Sequence, residues 1–161
     1  MTATPYRLEI ASENAFIIYF EQKIALSVSQ QVTAARQLLE KTLGTALIDL
    51  LPSYASLLVI FDPFQHSHAT LQPLLTKTLQ QLTTSEQSRG RLIELPVYYS
   101  EESGPDLVQI ARSKDISTDE VIHLHQATLY QVYAIGFAPG FAYLGEVDAR
   151  LETPRLASPR A

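Results

Sequence analysis

The sequence predicts an α+β protein that begins with a small sandwich of helices on a mainly antiparallel sheet. Short segments with strand composition occur in two pairs, and a turn separates the members of each pair. An amphipathic helical stripe follows each pair. Strands joined by short turns pair antiparallel, so the helices are expected to form a second layer on one face of the sheet.

The first strand pair is predicted at residues 6–10 and 16–20, on either side of the turn-forming residues 12–14. Apolar residues at helical spacing predict the helix that follows: Val32, Ala35, Leu39 and Leu43. We expect this helix to be capped near Ser29 and to end at Gly44, because glycine is favoured just beyond a helix end.

The second strand pair is predicted at residues 48–51 and 57–61. Asp62-Pro63 ends the second of these strands, because proline cannot continue a sheet ladder. The second helical stripe consists of Leu71, Leu74, Leu75, Leu79 and Leu82. Pro73 is compatible with that helix only if it lies in the first turn. Residues 91–99 return to strand composition and predict a further strand.

A domain boundary is predicted near residue 90, which gives an N-terminal α+β domain at residues 1–90 and a second domain at residues 91–161. The polar, low-complexity stretch at residues 83–90 supports this division, although it is also compatible with a helix end and a loop. Residues 106–113 predict a short helix in the second domain.

A clearer helix is predicted at residues 121–128. The preceding residues 117–120, Ser-Thr-Asp-Glu, have the pattern of a capping box, in which the serine hydroxyl and the glutamate carboxylate each bond a free backbone N–H group. Residues 129–135 alternate between polar and apolar and predict a strand. This strand leads into a glycine-rich segment.

Composition argues against several classes of function. The net charge is −5 and no basic tract is present, so the sequence lacks the electrostatic footprint of a nucleic-acid-binding protein. There is no cysteine, which excludes disulfides, thiol catalysis and thiolate zinc sites. No signal peptide or membrane span is recognisable, so a cytoplasmic location is expected. His66 and His68 have no evident third ligand, so no metal site is predicted.

Residues 136–145, GFAPGFAYLG, contain three glycines, one proline and three aromatic residues. Glycine permits positive φ, proline fixes φ and aromatic rings anchor a loop, so a rigid loop is expected. One interpretation is a nest of backbone N–H groups for an oxyanion or carboxylate, and another is a docking knob around Pro139. A structural crossover within a β domain is the plainer alternative. The candidate binding residues are Gly136, Phe137, Pro139, Gly140, Phe141 and Tyr143.

Arg150, Arg155 and Arg160 recur every five residues through a segment broken by prolines. Guanidinium groups bind carboxylates and phosphates with two parallel hydrogen bonds, so the three side chains are candidates to converge on one anion. The alternative is that they form solvated ion pairs with the carboxylates of Glu146, Asp148 and Glu152.

His125 is the candidate catalytic residue. At helical spacing it shares a face with Val121 and Leu129, whereas His123 points to nearly the opposite side. His125 is therefore expected to face inward, as a general base or as the anchor of a buried hydrogen bond.

Three motifs in the second half of the chain carry a family resemblance: S-x-x-E-V-I-x-L-H, G-F-x-P-G-F-x-Y-L-G and L-x-T-P-R. With them, the sequence resembles the family of allophanate hydrolase subunit 1, KipI and the B-type subunit of 5-oxoprolinase over essentially its whole length. The resemblance implies a small α+β domain up to about residue 90, followed by the start of a cyclophilin-like β-barrel domain. Family members continue beyond L-x-T-P-R, so this second domain is expected to be truncated.

The resemblance implies one of two functions. The first is a non-autonomous subunit of an ATP-dependent 5-oxoprolinase, which opens 5-oxoproline to L-glutamate together with subunits of the A and C type. The loop and the three arginines would then hold a carboxylate or phosphate, His125 would position the loop or move a proton, and ATP would bind elsewhere in the complex. The alternative is a KipI-like inhibitor that binds a sensor histidine kinase.

Overall fold

The computed structural model describes residues 6–82 and 90–158. Contacts divide these residues into two units. One unit contains the described residues up to Gly90 together with Val132–Tyr143, and the other contains Arg91–Gln131 and the described residues from Leu144 onward. Most of the polar stretch that motivated a domain boundary, residues 83–89, lies outside the described residues.

The first unit contains a four-stranded sheet with strand order β1-β2-β4-β3. Its strands are β1 (Arg7–Ser12), β2 (Ala15–Tyr19), β3 (Leu47–Pro52) and β4 (Ser56–Phe61). Every pair of neighbours is antiparallel. Both strand pairs predicted from the sequence are confirmed, because each is local in the chain and joined by a short turn.

Two helices accompany this sheet, α1 (Leu26–Leu43) and α2 (His68–Leu79). The predicted end of α1 at Gly44 is confirmed, and Gly44 has a positive φ of 52°. The predicted cap near Ser29 is wrong. Ala25 is the N-cap and makes no side-chain hydrogen bond. The helix begins earlier than expected because Val28 extends the buried stripe by one more turn.

Helix α2 begins with a capping box that the sequence analysis missed. Ser67 and Thr70 each accept a hydrogen bond from the other's backbone N–H group. Pro73 lies in the second turn of α2 rather than the first. The helix continues through it, and the carbonyl of Ala69 is the group that loses its usual partner there.

The core of the first unit lies between the helices and one face of the sheet. In β2 and β4, alternate side chains are buried, as expected for strands with one covered face. Residues on α1 and α2 that face them are also buried. The largest fully buried side chains are Phe16, Phe61, Ile18, Leu39, Leu57, Leu71, Leu75, Val28 and Val59.

The second unit contains helices α3 (Leu107–Lys114) and α4 (Thr118–Ala127). Both predicted helices are confirmed. The capping box before α4 is half formed: the Ser117 hydroxyl accepts from the backbone N–H of Glu120 at 3.1 Å. The buried residues of this unit form a smaller cluster: Ala111, Val121, Leu124 and Leu151.

The strand predicted at residues 91–99 is wrong, since these residues form no ladder with any strand in the described part of the chain. Their apolar side chains are largely exposed, including Leu92, Leu95 and Val97. Strand composition alone does not make a strand, because a strand needs a neighbour to satisfy its backbone hydrogen bonds.

A two-stranded sheet follows α4, formed by β5 (Val132–Ile135) and β6 (Ala142–Leu144). The strand predicted at residues 129–135 is confirmed from Val132 onward. The α+β class is also confirmed, and residues 6–82 and 90–158 contain no closed barrel. None of the helices in these residues has the length and apolar character needed to cross a bilayer. The cytoplasmic location stays a prediction.

Candidate functional site

The hairpin loop at residues 136–141 joins β5 to β6 through two consecutive tight turns. The backbone N–H of Ala138 donates to the carbonyl of Gly136 at 2.7 Å, and Phe137 between them has a φ of 62°. A hydrogen bond across three residues with positive φ at the centre defines a γ-turn of the rarer, strained kind. A bulky residue at positive φ is uncommon and marks local strain.

The second turn runs from Ala138 to Phe141. The N–H of Phe141 donates to the carbonyl of Ala138 at 3.0 Å, and Gly140 has a φ of 79°. Proline at the second position and glycine at positive φ at the third are the signature of a type II turn. The expectation of a shaped loop therefore has a specific origin in Pro139 and Gly140.

Three N–H groups of the hairpin loop are used within it, which limits the nest interpretation. Gly136 donates to Phe141, Ala138 donates to Gly136, and Phe141 donates to Ala138. Proline has no N–H group to contribute. Any ligand held by this backbone would therefore meet fewer donors than the glycine content of the loop suggests.

Five aromatic rings contact one another edge to face or stacked, in what we call the aromatic ladder: Phe137, Phe141, Tyr143, Tyr54 and Tyr133. Ring centroids are 5.5 Å apart for Phe137 and Phe141, 5.1 Å for Phe141 and Tyr143, and 6.5 Å for Tyr143 and Tyr54. Tyr54 and Tyr133 stack at 5.2 Å. All five belong to the first unit.

The ladder connects the hairpin loop to the turn between β3 and β4, where Tyr54 lies. Offset and edge-to-face rings at such distances attract each other beyond their area of contact. At the far end, Phe137 is 90% exposed. No sequence pattern pointed to Tyr54, because one tyrosine in a turn forms no periodic relation with residues some 80 positions away.

Arg150 does not project freely toward a ligand. Its guanidinium donates to both carboxylate oxygens of Asp148, with Nε and Nη2 each at 2.9 Å, and Nη1 lies 3.7 Å from Glu120 Oε1. The carboxylate of Glu120 therefore faces Arg150 rather than completing the capping box. The ion-pair alternative accounts for Arg150. Arg155 is exposed, and Arg160 lies outside the described residues.

The ion pair with Arg150 predicts a measurable titration shift. The Arg150 side chain lowers the pKa of Asp148 from 3.8 to about 2. A folded pKa below the unfolded value stabilises the fold above pH 3.8 and loses that contribution as the pH falls toward 2.

We expect the carboxyl carbon of Asp148 to titrate with a midpoint of about 2 by NMR. In Arg150→Ala the pKa should return toward the ordinary value, because the charged hydrogen-bond donor is gone. An unchanged midpoint in that variant would show that another group lowers the pKa.

His125 faces solvent, so the prediction of an inward-facing side chain is wrong. The buried residues of α4 are Val121 and Leu124, and the helix ends at Ala127, before Leu129. His125 follows Leu124 by one residue, which turns it about 100° around the helix away from the buried position.

Two tyrosines flank His125. The Tyr99 hydroxyl lies 2.7 Å from His125 Nδ1, and the Tyr130 hydroxyl donates to the backbone carbonyl of His125 at 2.9 Å. Burial raises the pKa of Tyr99, and the nearby Tyr130 adds to that effect. The sequence predicted neither tyrosine as a candidate. Helical spacing relates His125 only to residues of its own helix, and both tyrosines lie outside α4.

The remaining histidines show no metal-binding arrangement. His68 Nε2 lies 3.0 Å from the carbonyl of Ser12, and its ring packs edge-on against Phe16 and Phe61. Within residues 6–82 and 90–158, no three His, Asp or Glu side chains come together as a metal site would require.

Comparison with known proteins identifies the family. The chain matches the model of the carboxyltransferase domain, subdomain C and D, over residues 6–161. It is 32% identical over 165 residues to the B-type subunit of 5-oxoprolinase from Bacillus subtilis (strain 168), covering 96% of this chain and 69% of that protein. It is 38% identical over 103 residues to the B-type subunit of 5-oxoprolinase from Haemophilus influenzae, covering 64% of this chain and 48% of that protein.

A crystal structure of TTHA0988 has the same fold, with a TM-score of 0.76 at 33% sequence identity. The match covers 92% of this chain and 29% of that one. This chain thus spans about half to two thirds of the two curated relatives, and less than a third of TTHA0988. Because the family model matches nearly every residue, the chain belongs to the family of the carboxyltransferase domain, subdomain C and D.

Proposed function

We propose that the chain is a non-autonomous subunit of an ATP-dependent 5-oxoprolinase, which hydrolyses the ring amide of 5-oxoproline to give L-glutamate. The similarity to two proteins named as the B-type subunit of 5-oxoprolinase supports this proposal. A name that specifies one subunit also supports the presence of others, which we take to be of the A and C type. The reaction, its substrate and these partners are all proposed for this chain.

The exposed end of the aromatic ladder is the observation that carries the subunit role. Phe137 presents a nearly bare ring from a strained turn, and Phe141 behind it is half exposed. An aromatic side chain has few rotatable bonds and so loses little conformational entropy on binding, and such residues dominate the energetics of many interfaces. We assign this end of the ladder to contact with a partner subunit.

The two candidate arginines in the described residues differ in whether they form ion pairs. Arg150 is neutralised by Asp148 and Glu120. Arg155 is exposed and makes no ion pair with another residue in the described part of the chain, so it is the stronger candidate to bind a carboxylate or phosphate. The role of Arg160 stays a prediction.

ATP is assigned to another subunit or to a site formed only in the complex. The chain has no Gly-Lys-Ser/Thr phosphate loop. The hairpin loop uses three of its own N–H groups internally, so it is a poor cradle for a triphosphate.

Reconstitution tests the proposal. The chain is co-purified with the candidate partner subunits from its own genome, and glutamate formed from 5-oxoproline and ATP is measured. We expect a complex whose turnover requires every subunit. A folded chain that forms no complex and supports no turnover would contradict the proposal.

Arg155→Ala tests the anion-binding role within the same assay, with Arg36→Ala, an exposed arginine on α1, as its control. Loss of one charge-assisted hydrogen bond is expected to lower kcat/KM for 5-oxoproline about tenfold or more. The control should keep the wild-type rate. Full activity of Arg155→Ala would show that the arginine does not bind the substrate.

The kinase-inhibitor alternative stays a prediction, and no contact described above favours it.

A further inference from the structure

His125 is exposed, and one nitrogen of its ring has a defined hydrogen-bond partner. Tyr99 Oη lies 2.7 Å from Nδ1, and the two rings are edge-on with centroids 5.8 Å apart. The centroid of the Tyr130 ring lies 5.5 Å from that of His125. For Nε2, no hydrogen-bond partner is found among residues 6–82 and 90–158.

Acid and base strengths decide which group donates in the Tyr99–His125 hydrogen bond. A phenol is a far stronger acid than the N–H of a neutral imidazole, and the bare imidazole nitrogen is a far stronger base than a phenol oxygen. The favoured arrangement is therefore O–H donating to nitrogen. Burial raises the pKa of Tyr99, which keeps its hydroxyl protonated and able to donate.

A donated hydrogen bond at Nδ1 fixes the tautomer of the ring. Neutral imidazole has one N–H and one bare nitrogen, and here Nδ1 is the bare one. The proton then lies on Nε2 of this exposed side chain. In this form the accessible nitrogen can donate a hydrogen bond but has no lone pair with which to remove a proton.

We propose that Tyr99 is a positioning residue that holds His125 as the neutral Nε2–H tautomer, and that Nε2 donates a hydrogen bond to a carbonyl or carboxylate oxygen of a bound cyclic amide. The assignment of the tautomer depends only on contacts within the second unit. The identity of the ligand rests on the proposed function. This replaces the role of general base for His125 with that of a hydrogen-bond donor.

The tautomer is measured by two-bond ¹H–¹⁵N NMR correlation on the chain itself, at a pH where His125 is neutral. His125→Gln identifies the signals by their disappearance. We expect a pyridine-type shift for Nδ1 and a pyrrole-type shift for Nε2. Tyr99→Phe keeps the ring but removes the hydroxyl, so the two shifts should move toward each other as both tautomers become populated.

Tyr130→Phe is the matched control, because its hydroxyl bonds the backbone and not the imidazole. It should leave both nitrogen shifts at their wild-type values. A pyrrole-type shift at Nδ1 in the wild type, or Tyr99→Phe spectra identical to the wild type, would overturn the proposal.

Substitutions at His125 in the reconstituted complex separate a donor from a base. Glutamine offers an N–H donor near the position of Nε2 but cannot accept a proton, so His125→Gln should retain about tenfold more kcat/KM than His125→Ala, the worth of one hydrogen bond. Equal loss in both variants, with an active wild-type complex, would contradict the donor role. An inactive wild-type complex would instead remove 5-oxoproline as the ligand, while the NMR result would still decide the tautomer.

Discussion

Phe16→Ala is expected to lower the free energy of unfolding by about 3 to 5 kcal/mol, the usual cost of removing a phenyl ring from a core. Phe16 is 1% exposed on β2, one of the two inner strands of the sheet. Its ring lies 6.1 Å from that of Phe61 and 5.0 Å from that of His68. These neighbours come from separate elements, so local collapse around alanine would have to move a strand and a helix together.

Phe64→Ala is the matched control, since it makes the same substitution at a residue that is 99% exposed. The turn that carries Phe64 is held by its backbone, whose N–H donates to Asp62 Oδ1 at 2.9 Å. Removal of the ring leaves that bond intact and should change the free energy of unfolding by no more than about 0.5 kcal/mol.

Urea unfolding followed by circular dichroism compares the two variants with the wild type, because the chain has no tryptophan for fluorescence. A total stability of about 5 to 15 kcal/mol is typical of such domains, so the Phe16 variant should lose a large part of it. Equal midpoints for the two variants would mean that the β2 face is not the core of the first unit.

The elements predicted correctly from the sequence are those whose cause is local. The hairpin of β1 and β2 follows from two alternating segments around a turn, and α1 follows from its apolar stripe and Gly44. The start of α1 was nevertheless predicted too late in the chain. Serine is a common N-cap, and the burial of Val28, which extends the helix toward its N-terminus, is visible only in the folded structure.

The arrangement of the site residues depends on tertiary contacts, which local sequence patterns do not predict. Leu124, not His125, is the buried neighbour of Val121, because the packing of α4 on α3 selects that face. The partners of His125, Tyr99 and Tyr130, lie before and after α4 in the sequence. The prediction of a strand at residues 91–99 was wrong for a related reason, since a strand requires a hydrogen-bonded neighbour that composition does not reveal.

Phe137→Ala is expected to weaken binding to a partner subunit by about 30-fold to 1,000-fold, the range for an aromatic residue at the centre of an interface. The free chain should unfold at nearly the same urea concentration as the wild type, because the ring is 90% exposed. Affinity and stability therefore respond differently, which a purely structural loop would not produce. Both are measured on one set of variants, by binding to the immobilised partner subunits and by urea unfolding.

Phe137→Gly separates the ring from the backbone that presents it. Both variants remove the ring, but only glycine adopts the φ of 62° without the steric cost that a Cβ brings. Glycine should therefore leave the chain at least as stable as alanine does while binding as poorly, because the lost affinity comes from the ring.

Phe64→Ala again supplies the control, since it removes an equally exposed phenyl ring elsewhere in the first unit. Wild-type affinity in this variant, together with weak binding in both Phe137 variants, would locate the contact at the end of the aromatic ladder. If Phe64→Ala weakened binding and Phe137→Ala did not, the docking surface would lie at the turn after β4, and the strain at Phe137 would need another cause. The first outcome is the expected one, because the Phe137 ring has an aromatic neighbour, Phe141, with the two ring centroids 5.5 Å apart, and this contact restricts the positions that the ring would lose on binding.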